Sequence, residues 1–250
     1  MKSALASVTF NSKSIEEVIT LVKKAELSAI EWGGKTHVKA GDTDAAKKAY
    51  ALSRENGIPI SGYGAYYYGM PGEDFAPALE NALILEAPVV RIWAGKGFGP
   101  SENCPEDLRK QITENLQVAA EKAKKQGITV ATEYHLSTLT DNIDSTLRLL
   151  AEAPDLCTYW QPRHHPVQTI EKEVADIKAL GKRLVNVHAF ANIDYERYPL
   201  DAWSEKWVSC IAALRAHTKA GYAAIEFVKD DTEQQFFADA KTLNALLYTN

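Results

Sequence analysis

Short apolar runs alternate with longer amphipathic ones along the whole chain. The first pair is SALASVTF (3–10) and SIEEVITLVKKAE (14–26). In the second segment Ile15, Val18, Ile19 and Val22 recur at i, i+3, i+4 and i+7, one face of a helix. Ser14 with Glu17 three residues on forms a capping box that marks where this helix starts. The unit then repeats. AIEWGG (29–34) precedes a helix near 43–57, IPISGYGAY (58–66) one near 74–86, and VVRIWAG (89–95) one near 105–126. ITVATEYH (128–135) precedes 142–153, LCTYWQP (156–162) precedes 169–180, LVNVHAF (184–190) precedes 204–218, and AAIEFV (223–228) precedes 232–247. Pro105 suits a first helical turn, and Gly127 and Gly181 suit helix stops.

Strict alternation of strand and helix predicts a parallel sheet covered by helices. Eight such units in 250 residues predict an α/β fold, a closed (β/α)₈ TIM barrel, as one domain over 1–250. The rival is an open doubly wound sheet. That fold calls for a glycine-rich phosphate loop after an early strand, and neither GxGxxG nor GxxxxGK[ST] occurs.

Charge and cysteine content then limit the partners. With 28 Lys+Arg against 33 Asp+Glu the formal net charge is −5, which argues against nucleic acid or an anionic membrane surface as the main partner. No apolar run approaches the roughly 18 residues of a membrane span, and the start, MKSALASVTFNSKS, has too short an apolar core for a signal peptide. Cys104, Cys157 and Cys210 are odd in number and lack metal-type spacing. They predict a reducing cytoplasm and no disulfide. A homo-oligomer is compatible with all of this.

Barrel enzymes place their chemistry at the C-terminal ends of the strands. There the chain offers Glu31, Arg91, Glu133, His135, Gln161, His164, His188, Glu226 and Lys229. Each has a plain structural reading. Glu31 suits an ion pair with Arg91, His188 a satisfied core imidazole, His164 and His165 a loop ahead of Pro166, and Lys229 a solvated turn. His37 and His217 read as surface residues. Trp32, Trp93 and Trp160 are either packing or the wall of a sugar-sized pocket. As a set, though, Glu133, Gln161, His188 and Glu226 end four consecutive strands, where branched aliphatics are usual. Uncompensated buried carboxylates are costly, so convergence on one ion is the better reading. Oxygen donors with one imidazole suit Mn²⁺, Mg²⁺, Co²⁺ or Zn²⁺. Such an ion polarises a carbonyl and stabilises an enediolate, while two carboxylates act as base and acid.

The chain resembles the xylose isomerase-like barrel superfamily, which includes sugar isomerases and epimerases, inosose dehydratase, hydroxypyruvate isomerase and endonuclease IV. The resemblance spans essentially the whole chain and is most specific at IEWGG (30–34), VRIWAG (90–95), TEYHLSTLTD (132–141), YWQP (159–162), VNVHAF (185–190) and IEFV (225–228). It implies metal ligands at Glu133, His188 and Glu226, with Gln161 where the family carries Asp. That departure removes one negative charge from the ligand set. His164 holds the spacing of a substrate-binding His found in the family's epimerases. The stretch from Glu133 to Asp141 also resembles 3-dehydroshikimate dehydratases, which implies an active-site role for His135. An endonuclease is disfavoured by the acidic chain and the smaller ligand set. The resemblance therefore implies a metal-dependent isomerase or epimerase of a small sugar or polyol ketone. In it Glu133, Glu226 and His135 move protons, and Glu31, Arg91, Trp93, His164 and Lys229 contact substrate. A dehydratase on the same fold, or a metal-free sugar-binding barrel without catalysis, is the alternative.

Overall fold

The computed structural model describes residues 1–248; the last two positions of the expected domain, 249 and 250, lie outside the described residues. Eight parallel strands close into a barrel: β1 (Lys2–Ala6), β2 (Ala29–Gly33), β3 (Ile60–Gly64), β4 (Val89–Ile92), β5 (Thr129–Thr132), β6 (Cys157–Trp160), β7 (Leu184–Ala189) and β10 (Tyr222–Ile225). Closure is explicit, because β1 pairs in parallel with β10, Lys2 opposite Tyr222 and Leu5 opposite Ile225. An open sheet would leave those two edges apart. The covering helices are α1 (Ile15–Lys24), α2 (Thr43–Glu55), α3 (Ala76–Ile84), α4 (Glu106–Lys124), α5 (Ile143–Glu152), α6 (Ile170–Leu180), α7 (Ser204–His217) and α8 (Glu233–Tyr248).

Local chemistry sets the boundaries. At α1, Glu17 N–H donates to Ser14 Oγ at 3.2 Å and Ser14 N–H to Glu17 Oε2 at 2.6 Å, so both halves of the capping box form. The helix then buries Ile15, Val18, Ile19 and Val22, each worth roughly 1.5–3 kcal/mol relative to exposure. Pro105 caps α4 from just outside its first turn, and Gly181 ends α6 with φ +53°.

One element carries no signal in the alternation of apolar and amphipathic runs. A hairpin, β8 (Ala191–Ile193) and β9 (Glu196–Tyr198), follows β7 directly. Its two-residue turn is Asp194–Tyr195, with φ +49° and +71°. Hairpin turns of this kind usually announce themselves by Asn-Gly or Asp-Gly, and a tyrosine in the left-handed region gives no such signal.

Strand alternation sorts side chains into two layers. Ile30, Trp32, Tyr63, Ile92, Trp160, Val187 and Ile225 join the large apolar layer beneath the helices. Trp32 donates Nε1–H to Ser53 Oγ on α2 at 3.1 Å, and Trp160 packs edge-on to Trp207 of α7 at 5.9 Å. Those two indoles are core. The barrel interior instead holds small residues (Ala4, Ala6, Ala29, Ala224) next to Val89, Ala131 and Tyr159. On β3 the inward positions are Gly62 and Gly64. A Cβ on Gly62 would stand 2.7 Å from the Tyr159 hydroxyl, and one on Gly64 would run into the Arg91 guanidinium. The small residues make room for large polar ones.

Candidate active site

Those polar side chains project from the ends of β2, β4, β5, β6, β7 and β10 into one cluster. Arg91 is 3% exposed and reaches two acids: Nη1 is 2.6 Å from Glu133 Oε2, and Nη2 is 3.3 Å from Glu31 Oε1. His188 is wholly buried among three carboxylates. Its Nε2 faces Glu31 Oε1 at 3.3 Å, and its Nδ1 faces Glu226 Oε2 at 3.1 Å and Glu133 Oε1 at 3.6 Å. Gln161 Oε1 stands 3.3 Å from the same Nδ1. The four side chains expected to meet therefore do meet, around the Nδ1 edge of His188.

Charge follows from these contacts. Burial opposes ionisation of Glu133, but Arg91 and His188 outweigh it and hold the carboxyl well below the usual range. The same balance lowers Glu31, with His188 as its largest favourable partner, then Arg91. Burial also opposes a charged His188, yet Glu226 and Glu31 push its pKa well above the ordinary imidazole value.

The donor set fits a divalent cation. Glu133, His188 and Glu226 each offer an atom, all within 4.8 Å of one another. Glu31 on Nε2 fixes the imidazole orientation, as a carboxylate behind a ligating histidine does. Arg91 occupies Glu133 Oε2 and leaves Oε1 turned toward His188. Gln161 adds a neutral oxygen on the same side.

A cavity of about 350 Å³ opens onto this cluster. That lies near the lower end of the roughly 300–1,000 Å³ typical of small-molecule sites. Glu133, Glu226, Gln161 and Arg91 line its deep end; Trp93, His135, His164 and Tyr66 line its walls. His135 stacks on Trp93 at 4.4 Å, with 24° between the rings. Its Nδ1 lies 2.7 Å from the Leu136 carbonyl, which only accepts, so Nδ1 carries the hydrogen and Nε2 is free. Burial, then neighbouring His135, His165 and Arg163, push the His164 imidazole below its ordinary pKa.

Several expectations need correcting. Glu31, 2% exposed, is not part of the cavity wall; it stands behind His188 and Arg91. Lys229 opens a short 3-10 turn (Lys229–Asp231) and is not part of the cavity wall. Asp230 and Asp231 adopt left-handed φ of +59° and +52° there and reverse the chain. The lysine and arginine at the rim are instead Lys35, after β2, and Arg197, on β9. His37 is buried, with Nε2 3.0 Å from the Lys13 carbonyl, because the β2–α2 connection packs it against Trp32. Sequence reasoning also missed Tyr66, Phe190, Asn192, Tyr195 and Phe227 in the wall. Phe190 and Phe227 lie within the apolar runs 184–190 and 223–228 and were legible by position. Asn192, Tyr195 and Arg197 ride on the unsignalled hairpin. The three cysteines are unpaired, and among the described residues no helix is long and apolar enough to cross a membrane.

Comparison with known proteins agrees with this architecture. The xylose isomerase-like TIM barrel family matches residues 19–189. The chain belongs to that family. No curated protein matches it by sequence. Among solved structures, it is similar to the probable 3-DHS dehydratase AsbF of Bacillus anthracis, at 18% identity, covering 98% of this chain and 99% of that one, TM-score 0.77. It is similar to the D-allulose 3-epimerase of Methylomonas sp. in complex with D-allulose, at 15% identity, 99% and 97% coverage, TM-score 0.70. A third is a xylose isomerase-like barrel of Mycobacterium smegmatis in complex with magnesium, at 12% identity, 98% and 96% coverage, TM-score 0.74. At these identities the likeness is one of fold.

Proposed function

We propose that this chain is a divalent-metal-dependent isomerase or epimerase of a small sugar or polyol ketone, working in the cytoplasm. The observation that carries the reading is the convergence of Glu133, His188 and Glu226 at the floor of a cavity of sugar size. Glu133, His188, Glu226 and Gln161 would hold a divalent cation, which would supply Lewis acidity toward a substrate carbonyl. Glu133 and Glu226 come from β5 and β10, which are separated by two strands around the barrel. A carbon between them presents one face to each. One carboxylate removes the proton and the other returns it, which is what inversion of a stereocentre requires. Arg91 and Glu31 hold Glu133 and His188 in place, and Trp93 and His164 give the substrate walls to lie against.

His135 favours a second reading. Its free Nε2 at the cavity wall is a third group able to move a proton, and this suits a dehydratase of the 3-dehydroshikimate type. One panel decides. Ketoses and keto acids are incubated with Mn²⁺-loaded protein in D₂O and followed by NMR. Exchange of the hydrogen next to the carbonyl, lost on metal removal, supports the isomerase or epimerase. Ultraviolet absorbance of a new aromatic acid from 3-dehydroshikimate, without exchange on ketoses, supports the dehydratase. Neither, together with no retained metal, leaves a sugar-binding barrel.

The Gln161 position sharpens the ligand claim. Replacing it by Asp adds a charge at the proposed ion and should tighten Mn²⁺ binding about ten- to a hundredfold by calorimetry. Equal or weaker affinity in Gln161→Asp would remove Gln161 from the ligand set.

A further inference from the structure

Positive charge at the rim of the cavity is left over once the acids at its floor are accounted for. The floor is close to balanced. Glu31, Glu133 and Glu226 face Arg91 and His188, and a divalent cation in place of the imidazole proton completes the neutralisation. The rim is not. Lys35 lines it and has no hydrogen bond or ion pair to any described residue. Arg197 lines it too. Its Nη1 pairs with Asp231 Oδ1 at 2.5 Å, and its guanidinium lies over the Phe227 ring at 4.5 Å. Its Nε and Nη2 have no protein partner among the described residues. The guanidinium is thus held by one nitrogen and by stacking, with a two-donor edge free. Beside it, the buried Asn192 Oδ1 is also without a partner. The chain carries a net charge of −5, yet two cations line its pocket mouth, and one of them, Lys35, is unpaired among the described residues.

We infer that the substrate is an anion, a small hydroxylated ketone carrying a carboxylate or a phosphate ester, whose charged group sits between Lys35 and Arg197 while its carbonyl end reaches Glu133 and Glu226. This rests on the proton-transfer reading and narrows it. The fork of Arg197 suits the paired oxygens that carboxylates and phosphates share, and Lys35 adds a mobile point charge. Val8 and Phe227 form the apolar wall near them, so the charged group has no competing acid there other than Asp231, on the Nη1 side of Arg197.

The test is a titration of Mg²⁺-loaded protein with inorganic phosphate and, separately, with malonate, followed by calorimetry; D-fructose serves as the neutral comparator. One saturable site is expected for at least one anion. Tighter phosphate binding points to a phosphate ester and tighter malonate binding to an acid. Lys35→Ala should weaken that site about fivefold, since Lys35 is exposed, and adding Arg197→Ala should weaken it about fiftyfold in total. Lys35 is exposed and has no hydrogen bond or ion pair to a described residue, so its loss puts folding at little risk. Absence of binding by both anions overturns the inference. So does binding that the double variant retains unchanged, because that is binding to the ion itself. The two readings fail separately. Hydrogen exchange on neutral ketoses without anion binding keeps the isomerase and sinks the anionic substrate. Anion binding that needs Lys35 and Arg197, without any exchange, does the reverse.

Discussion

Glu133 and Glu173 are the same residue, 2% and 0% exposed, and their protonation is driven in opposite directions. Glu133 lies 2.6 Å from Arg91 and stays ionised. Glu173, on α6, is raised to about 7, chiefly by burial. Its cation, Lys206, is 3.7 Å away; one oxygen accepts from Arg163 N–H at 2.9 Å and the other has no partner. Depth is therefore not what decides the state of a buried carboxylate. A short contact to a guanidinium, itself confined by two acids, offsets desolvation, and a looser contact to an ammonium does not. The first arrangement keeps a base ready at the cavity floor. The second anchors the loop that carries Gln161 and His164, through Arg163, and leaves a group that titrates near neutrality.

The largest effect should come from breaking the first cluster at its acid. Glu133→Gln should reduce hydrogen exchange on the substrate by about a thousandfold, the scale of losing a general base. Exchange within tenfold of the unaltered protein would remove Glu133 from the chemistry. Arg91→Met leaves buried carboxylates without their cation and should cost about 3–5 kcal/mol in denaturant unfolding of metal-free protein. A cost under about 1 kcal/mol would show that His188 alone neutralises the cluster.

The second cluster has its own pH signature. The folded pKa of Glu173 lies above the ordinary glutamate value of 4.5, so the folded state holds the proton more tightly. Its contribution is most favourable below pH 4.5 and is lost as pH rises toward about 7. Glu173→Gln should flatten the stability profile across that window, a difference of roughly 3 kcal/mol between its ends. Glu31 and Glu133 act with the opposite sign. Their lowered pKa values contribute stability that is present above the ordinary carboxylate range and lost as pH falls below it. An unchanged profile in Glu173→Gln would contradict the contrast between the clusters. The smallest effect sharpens the same contrast through space rather than charge. Gly64→Ala intrudes on the Arg91 guanidinium and should cost about 1–3 kcal/mol, while Gly72→Ala, with open space around it, tests only backbone strain at φ +82°.

Much of this molecule was legible in its residues. Alternation of apolar periods predicts all eight barrel strands and their helices, because burial on one helix face and on both strand faces leaves a periodic record. Trailing polar residues on those strands pointed to Glu133, Gln161, His188 and Glu226, because a polar group inside a barrel has to meet a partner. Roles that depend on distance were not legible. Glu31 sits behind His188 rather than in the cavity wall, and Trp32 and Trp160 face the helices while Trp93 faces the cavity. One residue of strand phase decides the tryptophans, and packing across the barrel decides Glu31. Nor did any local pattern signal the Asp194–Tyr195 turn that brings Arg197 to the rim, or Lys206 standing too far from Glu173 to keep it ionised. Periodicity is a property of neighbours in the chain and survives in the sequence; the difference between 2.6 and 3.7 Å that sets a carboxylate's charge belongs to neighbours in space, and only the folded barrel decided it.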